Sequence, residues 1–394
     1  MAKQRTTKEY STTFYNNPKN RVILYQLIAL ILIFLFTYTI LDNMFINIEK
    51  RGITTGFGFL NKEAGFGILQ SAIEYDESDT HGKVFIVGLL NTLIVSFISI
   101  IFATIIGLLL GIARLSKNFM LSKFALIYIE TFRNIPLLLQ ILFWYNLVIT
   151  TLPSPRKSIS FLDSFFLNSR GLYIPKPIIE GGFSSVIIAL IISIISILYL
   201  KKWAQKRHNN TGNTFPLFWV SLSILISAPS LVFLLSGSSI TLEFASLKGF
   251  NYQGGWTLIP ELLSLSFALS IYTASYIAEA VRAGIKAVPI GQKEASITLG
   301  LPDNVILKKV VLPQALRIII PPVINQYLNL VKNSSLATAI GYPELITVFS
   351  GTSLNQVGQA IEIILMTMAV YLTISIIISL FMNYFNSKTQ IKET

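Results

Sequence analysis

The chain has 394 residues, 53% of them hydrophobic and only 13% charged, with a net charge of +12 and no cysteine. A soluble chain carries about 25% charged residues, so this composition indicates a polytopic membrane protein, and the missing cysteines exclude disulfides, thiolate metal sites and cysteine nucleophiles. His81 and His208 are far apart, which argues against a metal centre, and the positive charge fits basic loops at a membrane better than nucleic acid.

In chain order, a basic tail over 1–21 precedes an apolar run at 22–42. That run exceeds the 7–15 residues of a signal-peptide core, and no small-x-small cleavage site follows it, so it reads as an anchor. The connection 43–82 carries the acidic patch Glu74, Asp76, Glu77 and Asp79. Further apolar segments follow at 84–112, 124–150, 183–200, 216–236, 258–281, 316–340 and 360–384. Each approaches or exceeds the roughly 20 residues that cross a bilayer as a helix. The expectation is an all-α integral membrane protein of about eight transmembrane helices.

The seventh segment contains Pro321-Pro322 together with Asn325, Gln326, Asn329, Lys332 and Asn333. The prolines are expected to interrupt it. A helix this polar belongs inside a bundle or along a cavity, not against lipid. The connection 151–182 is rich in proline, and the short tail 385–394 closes the sequence. If the first tail is cytoplasmic, 20 of the 31 Lys and Arg fall on that side and 8 on the other. The bias places both termini inside.

Between the sixth and seventh segments lies a polar, basic loop, 284–315. Glu294-Ala295-Ser296-Ile297-Thr298-Leu299-Gly300 is expected to form a short amphipathic helix ended by Gly300 as a left-handed cap. Pro302 prevents its continuation, and Pro289 and Gly291 mark its start. Val310-Val311-Leu312-Pro313 follows after a spacer.

Two charge pairs are spaced to share a helix face, Glu130 with Arg133 and Glu279 with Arg282. Each reads either as a structural ion pair or as part of a cytoplasmic gate. Lys332 either snorkels to headgroups or lines a solute path with Asn329 and Asn333. Asn91, Gln140 and Trp144 are weaker lining candidates. No Gly-x₄-Gly-Lys-Ser/Thr loop is present, so this chain does not cradle ATP phosphates. Gly-x-Ser-x-Gly and His-Glu-x-x-His are absent as well, which leaves an integral-membrane enzyme without a catalytic cluster.

The loop pattern of Glu294, Ala295, Ser296, Gly300 and Pro313 resembles the ATPase-coupling loop of ABC-importer permeases. Gly88–Leu93, Gly111–Ser116, Glu130–Gln140, Tyr276–Ile285 and Gly291-Gln292 are similar to permeases of the polar-amino-acid uptake family, over 84–384. The tracts Arg51-Gly52-Ile53 and Glu63–Ile68, with two extra helices inserted at about 151–257, resemble the longer permease subunit of general L-amino-acid transporters. Ser296 departs from the alanine common in that family, a change expected to sit on an exposed helix face. The resemblance implies a type I ABC-importer fold over 84–384, preceded by a first helix and extracytoplasmic loop at 22–83. It also implies a bacterial inner membrane, a second permease subunit, an ABC ATPase dimer holding ATP and Mg, an extracytoplasmic binding protein and an amino-acid substrate. No cofactor is expected on this chain. The alternative is a secondary transporter driven by an ion gradient, which needs a buried acidic ion site near the midplane. Glu130 and Glu279 lie too close to the cytoplasmic end for that.

Overall fold

The computed structural model describes residues 18–389 except 51, 53–54, 181–182 and 237–238. Most of the two expected tails, 1–17 and 390–394, therefore lies outside the described residues. The helices are α1 (Pro18–Lys50), α2 (His81–Arg114), α3 (Phe119–Asn134), α4 (Leu137–Thr151), α5 (Phe183–Thr211), α6 (Leu217–Leu235), α7 (Pro260–Lys286), α8 (Ile290–Thr298), α9 (Asp303–Ile306), α10 (Leu312–Asn333), α11 (Leu354–Val357) and α12 (Ala360–Thr389). Among the described residues, six are long and apolar enough to cross a membrane: α1, α2, α5, α6, α7 and α12.

The expected segment 124–150 is two helices. α3 and α4 meet at an angle of 105° and together make up to one further span. Pro136 causes the break: it lacks an N–H, and it holds Ile135 in an extended conformation (φ −93°, ψ 129°) that no helix can contain. Conversely, Pro321 and Pro322 do not interrupt the seventh segment. Both lie inside α10, exposed, and the helix runs on to Asn333 before tightening to a 3₁₀ turn over Ser334–Ile340. With its Asn, Gln and Lys residues, α10 is not among the spans that qualify by apolarity.

α2 packs along α7, and α4 and α10 pack on the same helix. The approach of α2 to α7 depends on Gly107 and Gly111, one turn apart. A Cβ added at either would lie 2.7 Å from the Cβ of Ile277 or Val281. Small residues four apart let two backbones come close in a bilayer, where dispersion rather than water expulsion drives association. The core around this contact contains Val95, Ala103, Leu265, Leu269, Ile277 and Val281. Cross-links between helices are polar: the Tyr128 hydroxyl donates to the Ile271 carbonyl at 2.9 Å, and Thr104 Oγ1 lies 2.7 Å from the Tyr327 hydroxyl.

A second core gathers Phe59, Val84, Leu345, Phe349 and Ile363 at the opposite end of α2 from Arg114. There the segment 55–80 is pinned to the bundle. Gly56 N–H donates to Glu362 at 2.5 Å, and at the start of α2 Nδ1 of buried His81 lies 2.9 Å from Ser353 Oγ. Around the acidic patch, the Lys83 ammonium 2.8 Å from Asp79 holds that carboxyl below its ordinary value, helped by the Asp76 N–H. Backbone and hydroxyl donors of Ser78 do the same for Asp76.

The connections flanking α5 and α6 carry strands, which periodicity in runs of three to five residues does not announce. β1 (Ile159–Phe161), β2 (Phe165–Asn168), β3 (Gly171–Ile174), β4 (Lys176–Glu180), β5 (Ser239–Glu243), β6 (Ser246–Lys248), β7 (Asn251–Gln253) and β8 (Trp256–Leu258) pair antiparallel throughout. They form one sheet in the order β1-β2-β3-β8, a two-stranded sheet β4-β5 and a hairpin β6-β7. The two connections therefore fold together, and α5 and α6 leave and return to that small β module.

Candidate coupling loop and polar cavity

α8 begins at Ile290, four residues before Glu294, with Pro289 extended at its N-cap. It ends in a Schellman cap. Gly300 N–H donates to the Ile297 carbonyl at 2.8 Å and Leu301 N–H to the Ser296 carbonyl at 3.2 Å. This cap requires a left-handed residue, and Gly300 has φ +73°. Ser296 is not on an exposed face. Its side chain is buried, and Oγ donates to the Gln292 carbonyl at 2.7 Å, because α8 turns that side toward the wide helical turn Leu307–Val311. Glu294 and Ala295 face solvent. So do Ile290, Ile297 and Leu299, which are 74%, 54% and 78% exposed. A short, rigidly capped helix thus presents apolar side chains to water. Behind it a cleft is lined by Lys117, Pro289, Lys293, Asp303 and Leu307. Pro313 is the second residue of α10, which continues directly from the wide turn Leu307–Val311.

The two charge pairs differ. Glu279 and Arg282 form a two-point ion pair: Arg282 Nε lies 2.9 Å from one carboxylate oxygen, and its NH2 group contacts the other. Glu130 and Arg133 do not pair. Glu130 is exposed and accepts only from Asn134, whose amide lies 3.4 Å away. Arg133 turns instead across the ring of Tyr276, 5.3 Å from its centre. α3 ends one residue later, and the α7 ring offers the guanidinium a flat partner.

The polar residues of α10 divide by helix face. Asn329 and Asn333, one turn apart, line a cavity of about 300 Å³ with Gln326, Tyr272, Thr273 and Tyr276. The Tyr272 and Tyr276 hydroxyls lie 3.1 Å apart at its wall. Thr273 is the midpoint of α7, so the cavity sits near mid-span. Lys332 is exposed and does not line it; the helical turn carries it about 100° from Asn333.

Asn91 and Gln140 are joints between segments. Asn91 is fully buried, and its amide donates to the carbonyls of Gln70 and Pro343, both at 2.8 Å. Gln140 is buried and donates to the carbonyls of Phe132 and Ile135, capping the end of α3 across the proline break. Trp144 packs edge-on against Phe267.

Sequence reasoning passed over Glu344. It is fully buried, and its carboxylate accepts from the N–H groups of Ile346 and Thr347, the Thr347 hydroxyl and Tyr371, at 2.9 to 3.1 Å. It joins the Ile346–Ser353 turn to α12. The only signal was an acid directly before an apolar helix start, a pattern too common to single out.

The model for "Binding-protein-dependent transport system inner membrane component" matches residues 205–391. The putative amino-acid ABC transporter permease protein YhdX of Escherichia coli is 49% identical over 393 residues, covering 100% of both chains. The general L-amino acid transport system permease protein AapQ of Rhizobium johnstonii is 47% identical, over 96% of this chain and 94% of the relative. The glutamate/glutamine/aspartate/asparagine transport system permease protein BztB of Rhodobacter capsulatus is 37% identical, over 95% and 94%. The chain belongs to the amino-acid ABC-transporter permeases, inner-membrane components with the type I importer fold.

Proposed function

We propose that this chain pairs with a second permease subunit to enclose a path for L-amino acids. A separate ABC ATPase dimer, which holds the ATP and Mg, drives the path, and an extracytoplasmic binding protein delivers the substrate. α8 is the coupling helix, with Glu294, Ala295, Ser296, Gly300 and Pro313 as its defining residues. The transport domain spans 84–384 with the insertion at about 151–257, and both termini lie in the cytoplasm. The names of the relatives, which include a general L-amino acid transport system permease, support the substrate class.

One observation carries this reading: a nine-residue helix, fixed at its end by a left-handed glycine, exposes Ile290, Ile297 and Leu299. Exposed apolar side chains on a rigid element suit a cleft on a partner, and a capped helix passes on a rigid-body push that a slack loop absorbs. ATP binding closes the ATPase dimer, moves the coupling helices and opens the path outward; hydrolysis resets it. The ligand biases two states only through its unequal contacts with them. The substrate meets Asn329, Asn333, Gln326 and the Tyr272–Tyr276 pair, which offer both donors and acceptors to a zwitterion. The cavity is at the small end of the range for ligand sites.

The test is uptake of labelled L-amino acids into proteoliposomes holding the assembled complex. ATP with binding protein is expected to drive accumulation, and an imposed proton or sodium gradient is not. Gradient-driven uptake without ATP overturns the reading.

A further inference from the structure

The α5–α6 hairpin has one strongly charged end. α5 has 29 residues, about 43 Å at 1.5 Å per residue, which exceeds the ~30 Å hydrocarbon core. Its last turns therefore leave the lipid interior, and they carry Lys201, Lys202, Lys206 and Arg207, all exposed. No Asp or Glu occurs anywhere from 181 to 242. None of the four cations has a carboxylate partner among the described residues, where the ion pairs are Lys83–Asp79 and Arg282–Glu279. Lys202 and Lys206 are moreover one turn apart, a spacing at which like charges repel.

Aromatic rings surround this end. The Arg207 guanidinium lies 5.3 Å from the centre of the Trp203 ring, and Trp203 meets Phe215 edge-on at 5.4 Å. Phe218 and Trp219 open α6 beside them, both exposed. Rings of this kind sit at headgroup depth. Directly next to the cations the shaft of α5 is bare: Ile187, Ile191, Ile194, Ile195 and Leu198 are exposed, because α5 and α6 pack chiefly on each other.

We propose that this end of the hairpin binds the headgroup of an anionic phospholipid whose acyl chains lie along the α5 shaft. The ligand must satisfy both surfaces at once. A soluble anion meets the cations and leaves the shaft bare. An acidic protein outside the membrane does the same. A zwitterionic lipid covers the shaft but brings no net charge to four uncompensated cations. An anionic lipid answers both with one molecule.

Native mass spectrometry of the purified full-length chain tests this, with phosphatidylglycerol and phosphatidylcholine as probes of equal chain length. Each cation near an anionic surface is worth about a fivefold change in affinity. The wild type is expected to prefer phosphatidylglycerol at least ~10-fold. Combined Lys201→Gln, Lys202→Gln, Lys206→Gln and Arg207→Gln is expected to remove the preference, while replacing the three lysines by arginine keeps it. If the fourfold variant does not insert, Lys202→Gln with Lys206→Gln serves instead and is expected to lower the preference at least ~5-fold. Equal binding of the two lipids by the wild type, or an unchanged preference in the glutamine variants, overturns the proposal. Displacement of the lipid by millimolar glycerol phosphate does so too, by showing that the cations hold phosphate alone. Glutamine variants that lose a co-purifying protein but keep the lipid preference overturn it in favour of a protein partner.

Discussion

Leu301 donates its N–H to the carbonyl of Ser296 across Gly300, at 3.2 Å, and so closes α8. Nothing lies within 4 Å of a Cβ built at Gly300, so substitution there meets no clash and acts through the backbone. A residue with a Cβ in the left-handed region costs about 1–2 kcal/mol, and a β-branched one more. Gly300→Val is expected to insert normally yet to lose most ATP-driven uptake and ATPase retention in pull-downs, while Gly300→Asn keeps both. Full uptake with Gly300→Val removes the rigid-coupling argument.

The charged pairs give opposite expectations from the same spacing. Glu279→Gln reduces a two-point contact whose members are only 31% and 26% exposed to at most one neutral acceptor, and it leaves Arg282 without a counter-charge beside the bundle. A loss of about 1–3 kcal/mol follows, read as a lower thermal midpoint of the detergent-purified chain. Glu130→Gln touches no ion pair and is expected to stay within about 0.5 kcal/mol. Equal shifts in the two variants contradict the geometry.

Much of the architecture was legible because apolar length is a strong signal: all eight segments are helical. What escaped notice depends on single residues whose neighbours are distant in sequence. Pro136 breaks its segment, whereas Pro321 and Pro322 are carried inside α10. Both segments carry proline, and the difference lies in tertiary support. Gln140 caps α3 across the break, while the α10 prolines face outward and disturb nothing packed. Gly300 was readable as a cap because its partners are local. Ser296 was misplaced, because its burial depends on Leu307–Val311 folding back. Lys332 was grouped with Asn329 and Asn333 by closeness in sequence, whereas a helix separates neighbours by 100°.

That separation gives the next prediction. Asn333→Leu and Asn329→Ala remove hydrogen-bonding groups from the cavity wall. They are expected to raise KM or change selectivity among amino acids by roughly 10-fold or more, since unpaired polar groups on a bound zwitterion cost about 1–3 kcal/mol each. Lys332→Met, outside the cavity, is expected to leave KM and selectivity unchanged when uptake is normalised to assembled complex. A KM change confined to Lys332→Met reverses the assignment of the two faces.

Glu344 predicts a structural failure. Glu344→Ala strands the Ile346 and Thr347 amides and the Tyr371 hydroxyl. At about 1–3 kcal/mol for each stranded donor, the sum rivals the whole stability of an ordinary domain, so the variant is expected to accumulate poorly. Glu344→Gln keeps an acceptor oxygen and is expected to recover part of the protein level. Tyr371→Phe, which removes one donor and strands nothing on the backbone, is expected to be milder than either. Normal accumulation of Glu344→Ala rules out this role.

The proposed orientation rests on charge alone and can be tested directly, because a chain without cysteine accepts single reporters. Ser296 is unsuitable: buried at 5% exposure, a cysteine there reacts slowly from either side. Glu294, two residues earlier, is exposed. Leu69, in the connection between α1 and α2, is 84% exposed. The proposed orientation expects the first on the cytoplasmic side and the second on the other. In intact cells an impermeant maleimide is therefore expected to label Leu69→Cys and to spare Glu294→Cys, and after membrane disruption it labels both. Labelling of Glu294→Cys in intact cells puts α8 outside, away from any ATP, and no coupling role survives that result.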